Sequence, residues 1–356
     1  MLADFLDCRD PRWQGFLASG PHDFYHLPAY VDLCARQEGG TAAAFWARQG
    51  DAAMLIPLVL RPLPPELEPQ PGWRDTAAPY GYPCPLLRGG PDEAAVAGFL
   101  AAFRRAGAEA GIVCAFLRLH PLLELPPGPL QAQGTLVDHG QTVYLDLTRS
   151  RDDLDRQTRP NHLADVRRLQ RQGFQVRLDR WELLDAFIEV YEATMRLREA
   201  DAFYYFERPY YDELRRCLGR RLHLCTVQAP DGAMAAAGLF TEVDGLVQFH
   251  LSGTAEAHRR LGPAKLMLIH MRDWAQDRGA RCLHLGGGVG CREDSLAFFK
   301  QGFSKQRARF LTLRMVLAPE RYRALAERRG LDGTGDPAQF FPAYRQTAAP
   351  QPCARG

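Results

Sequence analysis

Nowhere does this sequence run for about 18 uninterrupted apolar residues, so a membrane-crossing helix is not expected. Its opening, Met-Leu-Ala-Asp-Phe-Leu-Asp, carries acids where a secretory signal needs cations and an apolar stretch; the expectation is a cytoplasmic protein. Nine cysteines contain no C-x-x-C pair, and the nearest neighbours, Cys217 with Cys225 and Cys282 with Cys291, lack zinc-ligand spacing with paired histidines. Reduced thiols and no metal are therefore expected. Charge of one sign is also scarce: 44 Lys and Arg against 42 Asp and Glu leave a net charge of +2, too little for the field that dominates non-specific DNA binding. Any RNA contact must be local. The cations are mostly arginines in short runs such as Arg167-Arg168, Arg215-Arg216 and Arg259-Arg260, which read as solvated helix faces.

What is present is an ordinary globular composition, 46% hydrophobic and 24% charged, over 356 residues, enough for two cores rather than one. The chain also repeats itself. Tyr25, Tyr30 and Asp32 recur 180 positions later as Tyr205, Tyr210 and Asp212. Apolar runs flank Gln49-Gly50-Asp51 and again Pro230-Asp231-Gly232, each reading as a β-hairpin. A helical stretch from Ala95 to Glu109 leads through Gly111 into a strand beginning at Ile112; its counterpart runs from Lys265 to Arg278, through Gly279, into a strand from Arg281. Three matches in one order predict a duplicated α/β unit. The charged run from Thr148 to Asp153 sets the expected boundary, giving domains 1–148 and 149–318, with residues 319–356 a helix and a loose tail returning to the first domain.

In the second half, two apolar strands joined through Val243-Asp244-Gly245 form a hairpin, followed by Ser252-Gly-Thr254 and then Arg259-Arg-Leu-Gly-Pro-Ala264 at the start of a helix. Helix N-termini present unpaired N–H groups and the positive end of the helix dipole, so a glycine-bearing basic loop there suits a phosphate or pyrophosphate. Arg259, Arg260, Gly262 and Ala264 are the candidates; a plain turn built from Gly and Pro is the other reading. Next comes Leu285-Gly-Gly-Gly-Val-Gly-Cys-Arg-Glu-Asp-Ser-Leu-Ala-Phe-Phe-Lys300. Its glycines 286, 287 and 288 at a strand end suit close approach of a ligand or a splayed pair of strands. Asp294-Ser295 starts a helix carrying Phe299 and Lys300.

Taken together, these segments resemble the Fem-like branch of the GNAT acyltransferase superfamily, whose members move an amino acid from aminoacyl-tRNA onto a peptidoglycan precursor. The resemblance spans most of the chain: His26 to Tyr30, Ala78 to Pro83, Phe116 to Leu122, Asn161 to Gly173, Met195 to Tyr211, Phe249 to Thr254 and Leu285 to Phe303. It implies an α/β fold of two tandem GNAT-like domains, each a mixed twisted sheet flanked by helices, with a cleft between them. It implies that Phe299 and Lys300 lie in that cleft, Lys300 beside the transferred carbonyl. Tyr80, Tyr82, Arg118, His120 and Phe299, with Arg159, Arg167 and Arg168, would hold the acceptor. Acyl transfer to an amine needs a proton acceptor and an oxyanion partner rather than a covalent nucleophile. Lys300 with the glycine-loop amides serves the oxyanion, and His250 and Asp294 are candidates for the proton. His250 also fits a structural imidazole, and Ser252 and Thr254 either orient the acceptor or cap a turn. Peptidoglycan-bridge members commonly carry a coiled-coil insertion and a degraded coenzyme A loop, whereas this sequence has no long heptad stretch and keeps the loop. Two donors therefore stay open, aminoacyl-tRNA and acyl-CoA, each a co-substrate rather than a tightly bound cofactor. The acceptor is a small-molecule amine, nucleotide-linked, peptidoglycan-precursor-like or a natural product. A non-catalytic module binding a nucleotide-sugar or RNA is the third reading, and the protein is expected to be a monomer or dimer.

Overall fold

The computed structural model describes residues 1–331 and 340–346; the loose end expected for the tail falls outside them. The chain divides into two compact units, residues 1–20, 25–138 and 311–356 in the first and 21–24 with 139–310 in the second.

The first unit begins with β1 (Leu2–Leu6), α1 (Pro11–Ala18), α2 (Pro28–Gln37), β2 (Thr41–Gln49), β3 (Ala52–Pro62), β4 (Arg74–Ala77), β5 (Leu86–Arg88), α3 (Glu93–Glu109), β6 (Ile112–Arg118) and α4 (Pro127–Gln133). Helix α3 starts where the Asp92 carboxylate accepts the Ala95 N–H at 2.8 Å. It buries Val96, Phe99, Leu100 and Phe103, one helical stripe, against Phe45, Ile56 and Leu117 of the sheet. Each such side chain contributes about 1.5–3 kcal/mol by leaving water.

The second unit is built from β7 (Thr135–Asp146), α5 (Arg151–Gln157), α6 (Pro160–Arg171), β8 (Gln175–Leu178), α7 (Leu184–Leu197), α8 (Arg208–Leu218), β9 (Leu222–Gln228), β10 (Met234–Val243), β11 (Leu246–Thr254), α9 (Pro263–Asp277), β12 (Cys282–Gly286) and α10 (Ser295–Lys300). The β10–β11 turn uses Asp244 and Gly245, both at positive φ, as a tight two-residue hairpin requires. After β13 (Gln306–Val316), α11 (Pro319–Arg328) belongs to the first unit, where Tyr322 and Leu325 pack with Leu63, Leu67, Val113 and Tyr344.

The strands of the two units have one topology. The first runs β1-β2-β3-β4-β6-β13, with β5 beside β3; the second runs β8-β9-β10-β11-β12-β7. In each, all neighbours are antiparallel except the single parallel pair, β4 with β6 and β11 with β12, joined through the crossover helices α3 and α9. The duplication read from the 180-residue offset is thus a duplicated fold. The unit boundary lies at Asp138/His139 rather than 148/149. The charged run that looked like a linker instead starts α5, where the Ser150 hydroxyl accepts the Asp153 N–H at 3.2 Å.

Candidate active site

The parallel strands β11 and β12 pair over only three positions, Leu246 with Cys282, Val247 with Leu283 and Gln248 with His284. Beyond them β11 continues to Thr254 bonded to β10, with no further β12 partner among the described residues. The cause of the divergence is local. The β10–β11 register slips between Leu239/Leu251 and Phe240/Phe249, leaving His250 as the extra residue of a bulge, which bends the strand. The result is a fork at the carboxyl ends of two parallel strands, where ligands commonly bind in α/β sheets.

Lys300 sits at this fork. It is 8% exposed, its Nζ donates to the Gly287 carbonyl at 2.6 Å, and the Nζ lies 6.0 Å from the centre of the Phe249 ring. Burial pulls its pKa down from 10.5 to about 8. A protonated amine holding one carbonyl keeps two N–H donors for another oxygen. Helix α10 that delivers it is capped by Asp294, whose two oxygens accept the Ala297 and Val289 N–H groups, each at 2.8 Å. Burial pushes that carboxyl up, but these backbone donors outweigh it and hold the pKa below the usual value. Asp294 is therefore committed to the loop and cap, which leaves it poorly placed as a proton acceptor.

The glycines have a reason the sequence did not supply. A Cβ on Gly287 would lie 2.7 Å from the Cys291 Sγ, and one on Gly288 2.1 Å from the Arg292 carbonyl oxygen. The loop folds back on itself, with Gly286, Gly290 and Cys291 at positive φ, so these positions are glycine for their own packing. Of the neighbouring aromatics, Phe298 is 64% exposed, while Phe299, placed with the acceptor by sequence, packs on the unit's core against His162 and Phe303 at ring distances of 5.8 and 5.2 Å. Successive helical residues point about 100° apart, and Lys300 takes the inward direction toward Gly287. Arg159 stacks 3.8 Å from the centre of the Phe298 ring and donates to its carbonyl at 3.0 Å. His250 is half-buried against Phe24, and burial lowers its pKa to about 4, so it is neutral at pH 7. Ser252 is half-buried beside Gly238, and the Thr254 N–H donates to the Thr194 hydroxyl at 3.0 Å.

Where β11 ends, a short 3-10 turn carries Arg259 and Arg260, both exposed and without an ion pair among the described residues. Gly262 follows in the left-handed conformation (φ +72°, ψ 45°) and opens the 15-residue α9, with Pro263 and half-buried Ala264 in its first turn. Lys265 lies against Asp165 at 2.5 Å, and Arg168 spans Asp165 (2.9 Å) and the Leu261 carbonyl (3.3 Å), whereas Arg167 points to solvent. A cation-rimmed helix N-terminus of this length favours a phosphate.

Two residues that the sequence did not single out join this site. His162 of α6 is buried with no hydrogen-bond partner for Nδ1 among the described residues, and burial, then Lys265 and Arg159, bring its pKa to about 4. Arg198, following α7, acts electrostatically on both Asp294 and Lys300. In the first unit, Tyr80, Tyr82, Arg118 and His120 gather as a group of their own. Tyr82 lies 5.7 Å from Tyr25 and 6.0 Å from His120, the Arg118 guanidinium is 6.0 Å from the Tyr82 ring and reaches the Gly81 carbonyl at 2.5 Å, and the Tyr80 carbonyl accepts from Tyr30 at 2.9 Å. No group of His, Cys, Asp or Glu able to hold a metal occurs among the described residues, and no described helix is long and apolar enough to cross a membrane.

Comparison with known proteins gives this geometry a context. Residues 156–295 match the family described as Acetyltransferase (GNAT) domain. No curated protein sequence matches the chain. Among solved structures, the crystal structure of FemX superposes with a TM-score of 0.69 at 12% identity, covering 90% of this chain and 99% of that one. L-PGS from Bacillus licheniformis gives 0.55 at 13% identity, over 86% and 92% of the two chains. At such identities the likeness is one of fold.

Proposed function

We propose that this chain, an acyltransferase with a GNAT domain and the FemX fold, joins an aminoacyl group from aminoacyl-tRNA to an amine through the fork of β11 and β12. The observation that carries the reading is the buried Lys300 at the mouth of the fork, held by Gly287 and facing Phe249. The acceptor nitrogen attacks the ester carbonyl, and negative charge gathers on the carbonyl oxygen. The C–N bond then forms as the C–O bond to the ribose breaks, and the amine's proton ends on the departing hydroxyl. With its pKa near 8, Lys300 is mostly protonated at pH 7 and donates to that oxygen where water is excluded. Neutral His250 takes the proton. Phosphates of the donor rest on the α9 N-terminus and Arg259, and the acceptor is a small-molecule amine.

A second reading, an acyl-CoA-dependent N-acyltransferase, is favoured by one observation: Arg259, left-handed Gly262 and Ala264 keep the residue pattern suited to a pyrophosphate at the start of a 15-residue helix. Incubation of a panel of amines with either charged tRNA or acyl-CoA separates the two. Amide formation from charged tRNA, abolished by ribonuclease, supports the first; thiol release with RNA absent overturns it.

A further inference from the structure

At the other end of the second unit's strands lies an open cavity of about 590 Å³ whose charged lining is Arg216, Arg220, Arg221, Arg278, Glu242 and Asp244. Four cations face two carboxylates, and both carboxylates are already engaged. Glu242 accepts from Arg278 at 2.9 Å, and Asp244 holds the His22 ring at 2.6 Å. Arg216 is paired with Glu213. Arg220 and Arg221, exposed on the 3-10 turn before β9, have no ion pair among the described residues, so the cavity presents uncompensated guanidinium charge. Planar forks of this kind match phosphate oxygens.

Its position decides which phosphate. The cavity lies where β10 ends and β11 begins, while the phosphate loop starts beyond Thr254. From Gly245 to Thr254 is nine strand steps, about 30 Å at 3.3 Å per residue. One nucleotide cannot occupy both ends of that span, whereas a ribose-phosphate backbone passing along the unit can. We propose that the Arg220–Arg221 cavity is a second phosphate site that grips the backbone of the RNA donor at a distance from the reacting ester. This rests on the aminoacyl-tRNA reading, and an enzyme using acyl-CoA would have no use for such a site.

The test uses the full chain and the double variant Arg220→Ser/Arg221→Ser, both positions being exposed, with deacylated tRNA as the binding probe and inorganic pyrophosphate as the small-anion control. Losing two phosphate contacts is expected to weaken tRNA binding about two- to thirty-fold and to flatten the slope of log K against log salt by about 1.5. With charged tRNA, KM rises while kcat at saturation is unchanged, which a merely structural role would not produce. If the wild type transfers from charged tRNA and the variant keeps its affinity and salt slope, the cavity assignment falls and the donor reading stands. If the wild type binds no tRNA and turns over acyl-CoA, the donor reading itself falls. Arginine-dependent binding of pyrophosphate without tRNA binding overturns the RNA assignment.

Discussion

Replacing Lys300 with methionine removes a charge while keeping most of the volume, and two consequences can be worked out separately. The first is catalytic. Losing one preorganised donor to an oxyanion lowers kcat by about 10²–10³, with little change in KM. The second is thermodynamic. In the folded chain the Lys300 pKa falls from 10.5 to about 8 because burial disfavours the charged form. Below pH 8 both folded and unfolded chains hold this proton, and the folded state carries the full penalty. Between pH 8 and 10.5 the unfolded chain binds more protons than the folded one, so stability rises with pH by about 3 kcal/mol at roughly 1.4 kcal/mol per pH unit. Lys300→Met should abolish this rise and, at pH 7, change stability little or raise it, even though the Gly287 carbonyl loses its donor. Urea titrations across pH 7 to 10.5 measure the second effect and single-turnover kinetics the first. The pH–rate profile adds a sign: a donor must be protonated, so activity falls above about pH 8, whereas a lysine acting as base would give activity rising through it. Wild-type kcat in Lys300→Met, or a rising limb, would refute the role given to this residue; an unchanged stability slope would refute its burial.

Three further outcomes follow from the same geometry. Gly302→Ala would place a Cβ 2.0 Å from the His162 ring, so a loss of about 1–3 kcal/mol is expected, read by urea unfolding, with His162 and Phe299 forced to repack beside the site. Asp75 is fully buried and accepts from Arg345 at 2.6 and 3.0 Å, from Arg61 at 3.1 Å and from Tyr344 at 3.1 Å, tying residues 340–346 to the first unit. Asp75→Ala strands two arginines and should cost about 3–5 kcal/mol, visible as a fall in Tm, whereas a surface position would show almost none. Gly262→Val forces a branched side chain into the left-handed region at a cost of about 1–2 kcal/mol and raises the KM of the phosphate-bearing donor while kcat changes little; steady-state kinetics check it.

Much of the fold was legible because it depends on local chemistry. Asp244-Gly245 requires a tight hairpin, Gly262-Pro263 starts a helix, and the apolar spacing of α3 and α9 sets their buried faces. The repeat at 180 residues was legible because both units use the same punctuation in the same order. The fork was only half visible. Glycines 286–288 marked an irregular strand end, but the bulge at His250 that separates β11 from β12 depends on cross-strand register, which one strand's sequence does not carry. The same limit explains Phe299. Adjacent helical residues point in different directions, and only packing shows that Lys300 turns toward Gly287 while Phe299 joins the core. Asp23 could not have been foreseen at all. It reaches the second unit from the chain's start, where it accepts from Gln248 at 2.6 Å, and Gln248 accepts in turn from His284 at 2.7 Å, at the last paired position before the fork.

The claim that acyl transfer takes place at the fork is tested most directly by a crystal structure with a non-reactive donor analogue in which an amide replaces the aminoacyl ester. The amide carbonyl oxygen is expected about 3 Å from the Lys300 Nζ, beside Phe249 and Gly287, with the donor's phosphate on the α9 N-terminus. An analogue bound elsewhere with Lys300 still enclosed, or a carbonyl turned away from its Nζ, would contradict it.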